Sequence, residues 1–267
     1  MINRKLIRIK TVQVVYAYTL NEVHSPENGV NILLSSLGTA YDLYNTMLTL
    51  MVDISRLGLR AFEAQAARAT RLGLPAPSRK FIDNRFMLQL ESNVDSYEED
   101  RELWRKIYRH IIIDNDSLDD LLEDVNLYWN DDRFIIDTFV LKTINRFSST
   151  SKDDYPLLPE FRDEEELEYA KKLVSQALRG ADYYKELIAH STRNWDVDRV
   201  PLMDRIIMQV ALAEITSFPS IPLSVSINEY IEIAKSYSTP NSARYINATL
   251  DNISKQLIAE HKLVKEA

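Results

Sequence analysis

The chain has 267 residues, 45% apolar and 27% charged, with 5 glycines, no cysteine and a formal net charge of −8. That is the composition of a globular protein of one large or two small domains; the missing cysteines exclude disulfides and thiolate sites and fit a cytoplasmic protein, and so few glycines favour helices over phosphate-cradling loops. The most apolar tract, Leu43 to Leu59, is interrupted by Asn45, Asp53 and Arg56, which argues against a membrane span, and the basic N-terminus without an apolar core predicts no secretory leader.

The first helix is predicted in INRKLIRIKTVQVVYAYTL, where Arg4, Lys5, Arg8 and Lys10 are four cations with no acid before Glu22. Arg4 and Arg8 are four apart and share a face beside Lys5, and Tyr16 returns to that side about three turns later. Cations followed by an aromatic ring suit single-stranded RNA, because the cations neutralise phosphates and the ring stacks on an unpaired base. By spacing alone, a solvated helix with Tyr16 in the core is the better reading.

From Val30 to about Arg71 an amphipathic pattern with Leu34, Leu37, Tyr41, Tyr44, Leu48, Met51 and Ile54 predicts a long helix, stopped by Gly73, Pro75 and Pro77. Further helices are expected at Phe81–Leu90, Arg101–Asp114, Leu118–Tyr128 and Arg133–Phe147. Between Glu91 and Arg133 there are 14 acidic and 5 basic residues, a local balance of −9, so the rest of the chain is close to neutral and the net charge does not describe its surface. The acidic run from Asp114 fails as a calcium loop, since Asp119 and Val125 stand where glycine and glutamate are required; it reads as a solvated acidic helix.

The polar stretch SSTSKDDYPLLPE marks a boundary between residues 1–159 and 160–267. A helix pair broken near Gly180 follows, its start acidic from Asp163 to Glu166. Leu202, Met203, Ile206, Ile207, Val210 and Ile215 then follow the helical period with little polarity, predicting a helix surrounded by others. Pro219 and Pro222 stop it, Ser226 with Glu229 reads as a capping box for the next helix, and Thr239 with Pro240 as the start of the last.

The run VSINEYIEIAKSYSTPNSARYINATLD resembles the signature of the NusB family of bacterial antitermination factors. Val225, Ile227, Asn228, Glu229, Glu232, Ala234 and Lys235 match its first part, and Ser242, Arg244, Tyr245, Ile246, Asn247, Leu250 and Asp251 its second. Trp195, Asp198, Arg199 and Asp204 resemble the lead-in, ALAEI resembles ALYEL, and Val12, Gln13, Val15 and Tyr16 resemble the first-helix motif. Residues of about 73–159 exceed a minimal member and read as a helical insertion, similar to that of longer Bacteroides-group proteins. Leu6 and Gln209 stand where the family often has arginine, and Ser238 and Ala248 where it has glycine.

The resemblance implies an all-α NusB-like fold of two packed helical bundles, the N-terminal half enlarged: residues 1–159 with the basic first helix and the insertion, and 160–267 as the core. It implies a transcription antitermination factor acting with NusE, a ribosomal small-subunit protein, on boxA-like single-stranded nascent RNA, and through it on the RNA polymerase elongation complex, mainly in ribosomal RNA transcription. RNA contact is expected from Arg4, Lys5, Arg8 and Tyr16, joined by Arg244 and Tyr245. No enzyme signature is present: the four histidines, His24, His110, His190 and His261, have no ligand partner at helical spacing, and there is no P-loop, GxGxxG or GxSxG. Neither catalysis, cofactor, metal nor membrane is expected. A helical protein-interaction scaffold that has lost RNA binding is the alternative, motivated by the acidic insertion and the thinned basic helix.

Overall fold

A computed structural model describes residues 1–21, 25–79, 81–83, 98–146, 157–191 and 200–265. The expected helix beyond Asp83, His24, the residues Trp195, Asp198 and Arg199, and most of the polar linker lie outside the described residues. Everything regular among those described is helical, apart from one isolated bridge between Ile2 and Phe161. The helices are α1 (Arg4–Asn21), α2 (Pro26–Leu72), α3 (Glu98–Ile107) continued by a π-helical turn (Tyr108–Ile113), α4 (Asp116–Val125), α5 (Trp129–Arg146), α6 (Glu164–Arg179), α7 (Ala181–Ser191), α8 (Leu202–Ser217), α9 (Leu223–Tyr237) and α10 (Ser242–Ala259). No described helix is long and apolar enough to cross a membrane.

The chain forms two compact units, one of Gly38–Glu160 with Met1, the other of Ile2–Leu37 with Phe161–Ala267. Chain order and packing therefore differ: α1 and the start of α2 group with the C-terminal helices, and the division falls within α2.

In the 38–160 unit, Leu43, Tyr44, Met47 and Met51 of α2 are buried, as are Trp104, Ile136, Val140 and Ile144. Polar tips are bonded on the way in: Tyr44 and Thr143 hydroxyls lie 2.6 Å apart, and Trp129 Nε1 donates to the Thr39 carbonyl at 3.0 Å. Gly73 ends α2 with φ +63°; its N–H bonds Thr70 O and that of Leu74 bonds Ala69 O, a termination that glycine's freedom permits. The acidic stretch read as a helix is α4, capped by the Asn115 side chain accepting from Leu118 N. The π-helical turn leaves carbonyls outside the regular ladder, and Arg133 Nη2 donates to two of them, Ile112 O at 2.6 Å and Ile113 O at 3.2 Å.

The other unit is built around α8, whose residues from Ile206 to Ile215 are buried except Gln209, as its unbroken apolar run requires. Helices α1, α6, α7, α9 and α10 pack on it. Asp163 caps α6 by accepting from Glu166 N. Two starts differ from expectation. Helix α9 begins at Leu223 behind Pro222, and α10 at Ser242 behind Asn241. The Ser226 hydroxyl is drawn into the core instead of capping, and Thr239 bonds the Ser242 hydroxyl at 2.8 Å. Ser238, at a family glycine position, is extended with φ −136°, so no left-handed residue is needed there.

Candidate nucleic-acid interface

Helix α1 is more deeply embedded than its charges suggest. Ten of its residues are buried, among them Leu6, Arg8 and Lys10. Toward solvent lie exposed Lys5, half-buried Arg4, Gln13 and Tyr16, and the exposed last turn with Ala17, Thr19, Leu20 and Asn21. Arg4 Nη2 donates to Glu165 at 2.7 Å, and its guanidinium lies 5.0 Å from the Tyr169 ring centroid. Lys5 and Tyr16 stand about 20° apart around the helix axis, on one side of it.

Arg8 corrects the expectation of a direct phosphate contact. It is 4% exposed, and its Nε and Nη2 donate to Glu214 at 2.8 and 3.0 Å while Nη1 lies 3.3 Å from Glu229. A guanidinium held by buried Glu214 and half-exposed Glu229 has no fork left for RNA. Helical spacing places Arg4 and Arg8 on one face; only packing decides which of them is covered.

Glu214 of α8, fully buried, is the acceptor that binds these helices together. Besides Arg8 it accepts from Tyr169 Oη of α6, from Ser226 Oγ at 2.7 Å and from Tyr230 Oη at 3.2 Å of α9. Burial opposes its charge, but the bonds and attraction of Arg8 with those of Tyr169 and Ser226 outweigh it and hold the carboxyl below its ordinary value. Burial and the neighbouring Glu214 charge push the Tyr169 and Tyr230 hydroxyls well up, so both stay protonated donors. For Arg8, burial disfavours the charge yet the bond to Glu214 prevails and raises its pKa.

At the start of α10, Arg244 is exposed and Tyr245 half-buried, with burial raising the Tyr245 hydroxyl. The preceding turn is tied down by Ser238 Oγ, which donates to buried Asp204 of α8 and bonds the Ser242 hydroxyl at 3.0 Å. A cleft of about 470 Å³ opens along α1, α6, α7 and α8, with Val15, Thr19, Lys185, Arg205 and Gln209 among its lining. Gln209 donates to the Ala177 carbonyl at 2.8 Å. The sequence reading missed Glu214, Tyr169 and Tyr230 as the core's polar centre, and Lys185 and Arg205 as cleft residues. The signal for Glu214 was available, a lone carboxylate in the apolar run of α8.

The NusB family profile matches residues 135–255, from within α5 to near the end of α10. A protein of Salinibacter ruber named transcription antitermination protein NusB is 31% identical over 132 residues, covering 47% of this chain and 82% of that protein. The chain belongs to the NusB family. A NusB of Natranaerobius thermophilus is 38% identical over 90 residues, 34% of this chain and 65% of its own length, and one of Picosynechococcus is 39% identical over 110 residues, 40% and 51%. The chain thus spans between half and two thirds of these last two relatives. A solved T. maritima NusB structure is 31% identical over 40% of this chain and 75% of that one, with a TM-score of 0.35.

Family resemblance and structure meet at the polar residues. Glu214 is the carboxylate of the ALAEI run and Glu229 that of the INE run, and both hold Arg8. The NusB pattern in this chain is thereby a description of how α1 is locked to α8 and α9.

Proposed function

We propose that this chain is a transcription antitermination factor. It binds single-stranded boxA-like RNA together with NusE and acts through that complex on the RNA polymerase elongation complex, mainly in ribosomal RNA transcription. Family membership supports the antitermination reading, and the names of the relatives carry the same activity. The observation that carries RNA contact is that exposed Lys5 and half-buried Tyr16 lie on one side of α1, about 16 Å apart along it, with buried Ile9 and Val12 between them. Arg4 joins them with Glu165 as an exchangeable exposed partner, and Arg244 and Tyr245 are the contacts proposed on α10. Arg8 is a positioning residue: it holds the helix that presents Lys5 and Tyr16. The cleft beside Thr19, with Lys185 and Arg205, suits a phosphate or an unstacked base next to that side of α1. In chain order the proposal keeps residues 160–267 as the NusB-like core and about 73–159 as its insertion.

The test is binding of a boxA-like RNA by the full chain, with and without NusE, at two salt concentrations. Salt-sensitive binding strengthened by NusE is expected, and Lys5→Gln should lower the salt slope by roughly 0.7. Tyr16→Ala should weaken binding without that change in slope. NusE binding with no RNA affinity would favour the scaffold reading, to which the engagement of Arg8 in the core lends weight.

A further inference from the structure

The second half of α2 carries a cationic face outside the site just proposed. From Ile54 to Arg79 the chain has five arginines and one acid, Glu63. A helix advances about 100° and 1.5 Å per residue, so Arg56, Arg60, Arg68 and Arg71 fall within an arc of about 120° spread over roughly 22 Å. All four are exposed, as are Ala64 and Ala67 between them and Leu57 within the arc.

This is not an apolar face awaiting a core. The opposite side of α2 is the packed one: Ala69 is buried there, and Gly58 faces Phe81, where a Cβ would stand 2.2 Å from Cε1. Several other solvated cations of this protein are neutralised by an acid on their own helix. Lys171 pairs with Glu168 at 2.8 Å, Lys235 with Glu232 at 2.5 Å and Lys255 with Asp251 at 2.6 Å. On α2, Arg56 lies 3.6 Å from Asp53 and Arg71 Nε reaches the helix's own Ala67 carbonyl at 3.4 Å, while Arg60 and Arg68 have no acidic partner among the described residues. Like charges a turn apart repel, so the face is poised to gain from a polyanion.

We propose that this face is a second RNA-binding surface, one that holds phosphates and reads no sequence. It rests on the reading of the chain as RNA-binding. Guanidinium forks match phosphate oxygens in pairs, and a row of them along one helix tracks a strand's backbone. The arc holds no aromatic ring, unlike the α1 edge with Tyr16, so its contribution is electrostatic and independent of base identity. Exposed Leu57 and Leu72 lie beside the cations, so anionic vesicles are the competing surface that the test includes.

The test compares the full chain with its Arg60→Gln/Arg68→Gln/Arg71→Gln variant on a boxA-like RNA carrying a poly(U) extension, on the same RNA without it, and on phosphatidylserine vesicles. Lys5→Gln serves as the α1 reference. The expected result is a drop of roughly 2 in the salt slope on the extended RNA, from about 0.7 per lost contact, with unchanged discrimination among boxA sequences and an unchanged melting curve. RNA binding that responds to Lys5→Gln and is indifferent to the triple variant would overturn this surface and leave the antitermination reading standing. No RNA binding by the unmodified chain would sink both. Vesicle binding that depends on these arginines, without an RNA effect, would also overturn it.

Discussion

Each compact unit buries a carboxylate beside an arginine. In one, Glu214 is 0% exposed and accepts five hydrogen bonds from four side chains. In the other, Asp137 is 6% exposed, accepts from Tyr108 Oη at 2.6 Å and lies 3.5 Å from Arg133 Nε. The more buried group keeps its charge more easily: Glu214 is held below its ordinary value, whereas burial raises Asp137 above its own in spite of Tyr108 and Arg133. The difference lies in the donors. Arg8 gives two short bonds to Glu214, while Arg133 divides itself among Asp119, Asp137 and the carbonyls of the π-helical turn. Burial alone does not set a buried acid's charge; the number of donors aimed at it does.

The largest effect should come from breaking the better-served site. Glu214→Gln leaves Arg8 buried without its main counter-charge and should cost about 3–5 kcal/mol in urea unfolding. Arg8→Gln should be severe for the converse reason, with RNA affinity lost only as far as α1 is displaced.

A smaller loss is expected on the other side. Tyr108→Phe removes the one short donor to Asp137 and should cost about 1–2 kcal/mol, read by fluorescence of Trp104 and Trp129, both buried in that unit.

Acid should separate the units by sign. Glu214 has a folded pKa below its ordinary 4.5, so its stabilisation is full above about pH 4.5 and is lost as pH falls through the folded value. Asp137 has a folded pKa above its ordinary 3.8, so its charged form is penalised and its contribution worsens as pH rises through the folded value. Amide exchange in α8 should therefore accelerate on acidification at a pH where α5 is still protected. The same onset in both helices would contradict the contrast.

The smallest change is expected from Asp137→Asn. Replacing a charge that burial already disfavours should shift stability by less than about 1 kcal/mol, in either direction, and should abolish the opposing pH slope.

Much of this architecture was legible in the sequence because it rests on periodicity and chain stops. The uninterrupted run after Pro201 could only be a surrounded helix, and α8 is one. The long pattern ending at Gly73 is α2, and the break near Gly180 separates α6 from α7. The reading faltered where a polar side chain had to choose between neighbours near in sequence and distant ones. Ser226 and Glu229 have capping-box spacing, yet with Pro222 starting α9 a turn earlier they face Glu214 and Arg8. Lys5 and Arg8 look alike on a helical wheel, but one meets water and the other the core. The arginine face of α2 is present in the sequence, on the side of the helix away from buried Ala69.

By itself the sequence determined most of the helices, the stops at Gly73, Gly180 and Pro219, and the family, since these depend on local backbone preferences and on residue order. The tertiary structure alone decided which charges are structural and which reach solvent. Burial reverses the meaning of a cation: in water Arg8 would be a phosphate ligand, and beside Glu214 it is the pin that holds the first helix in place.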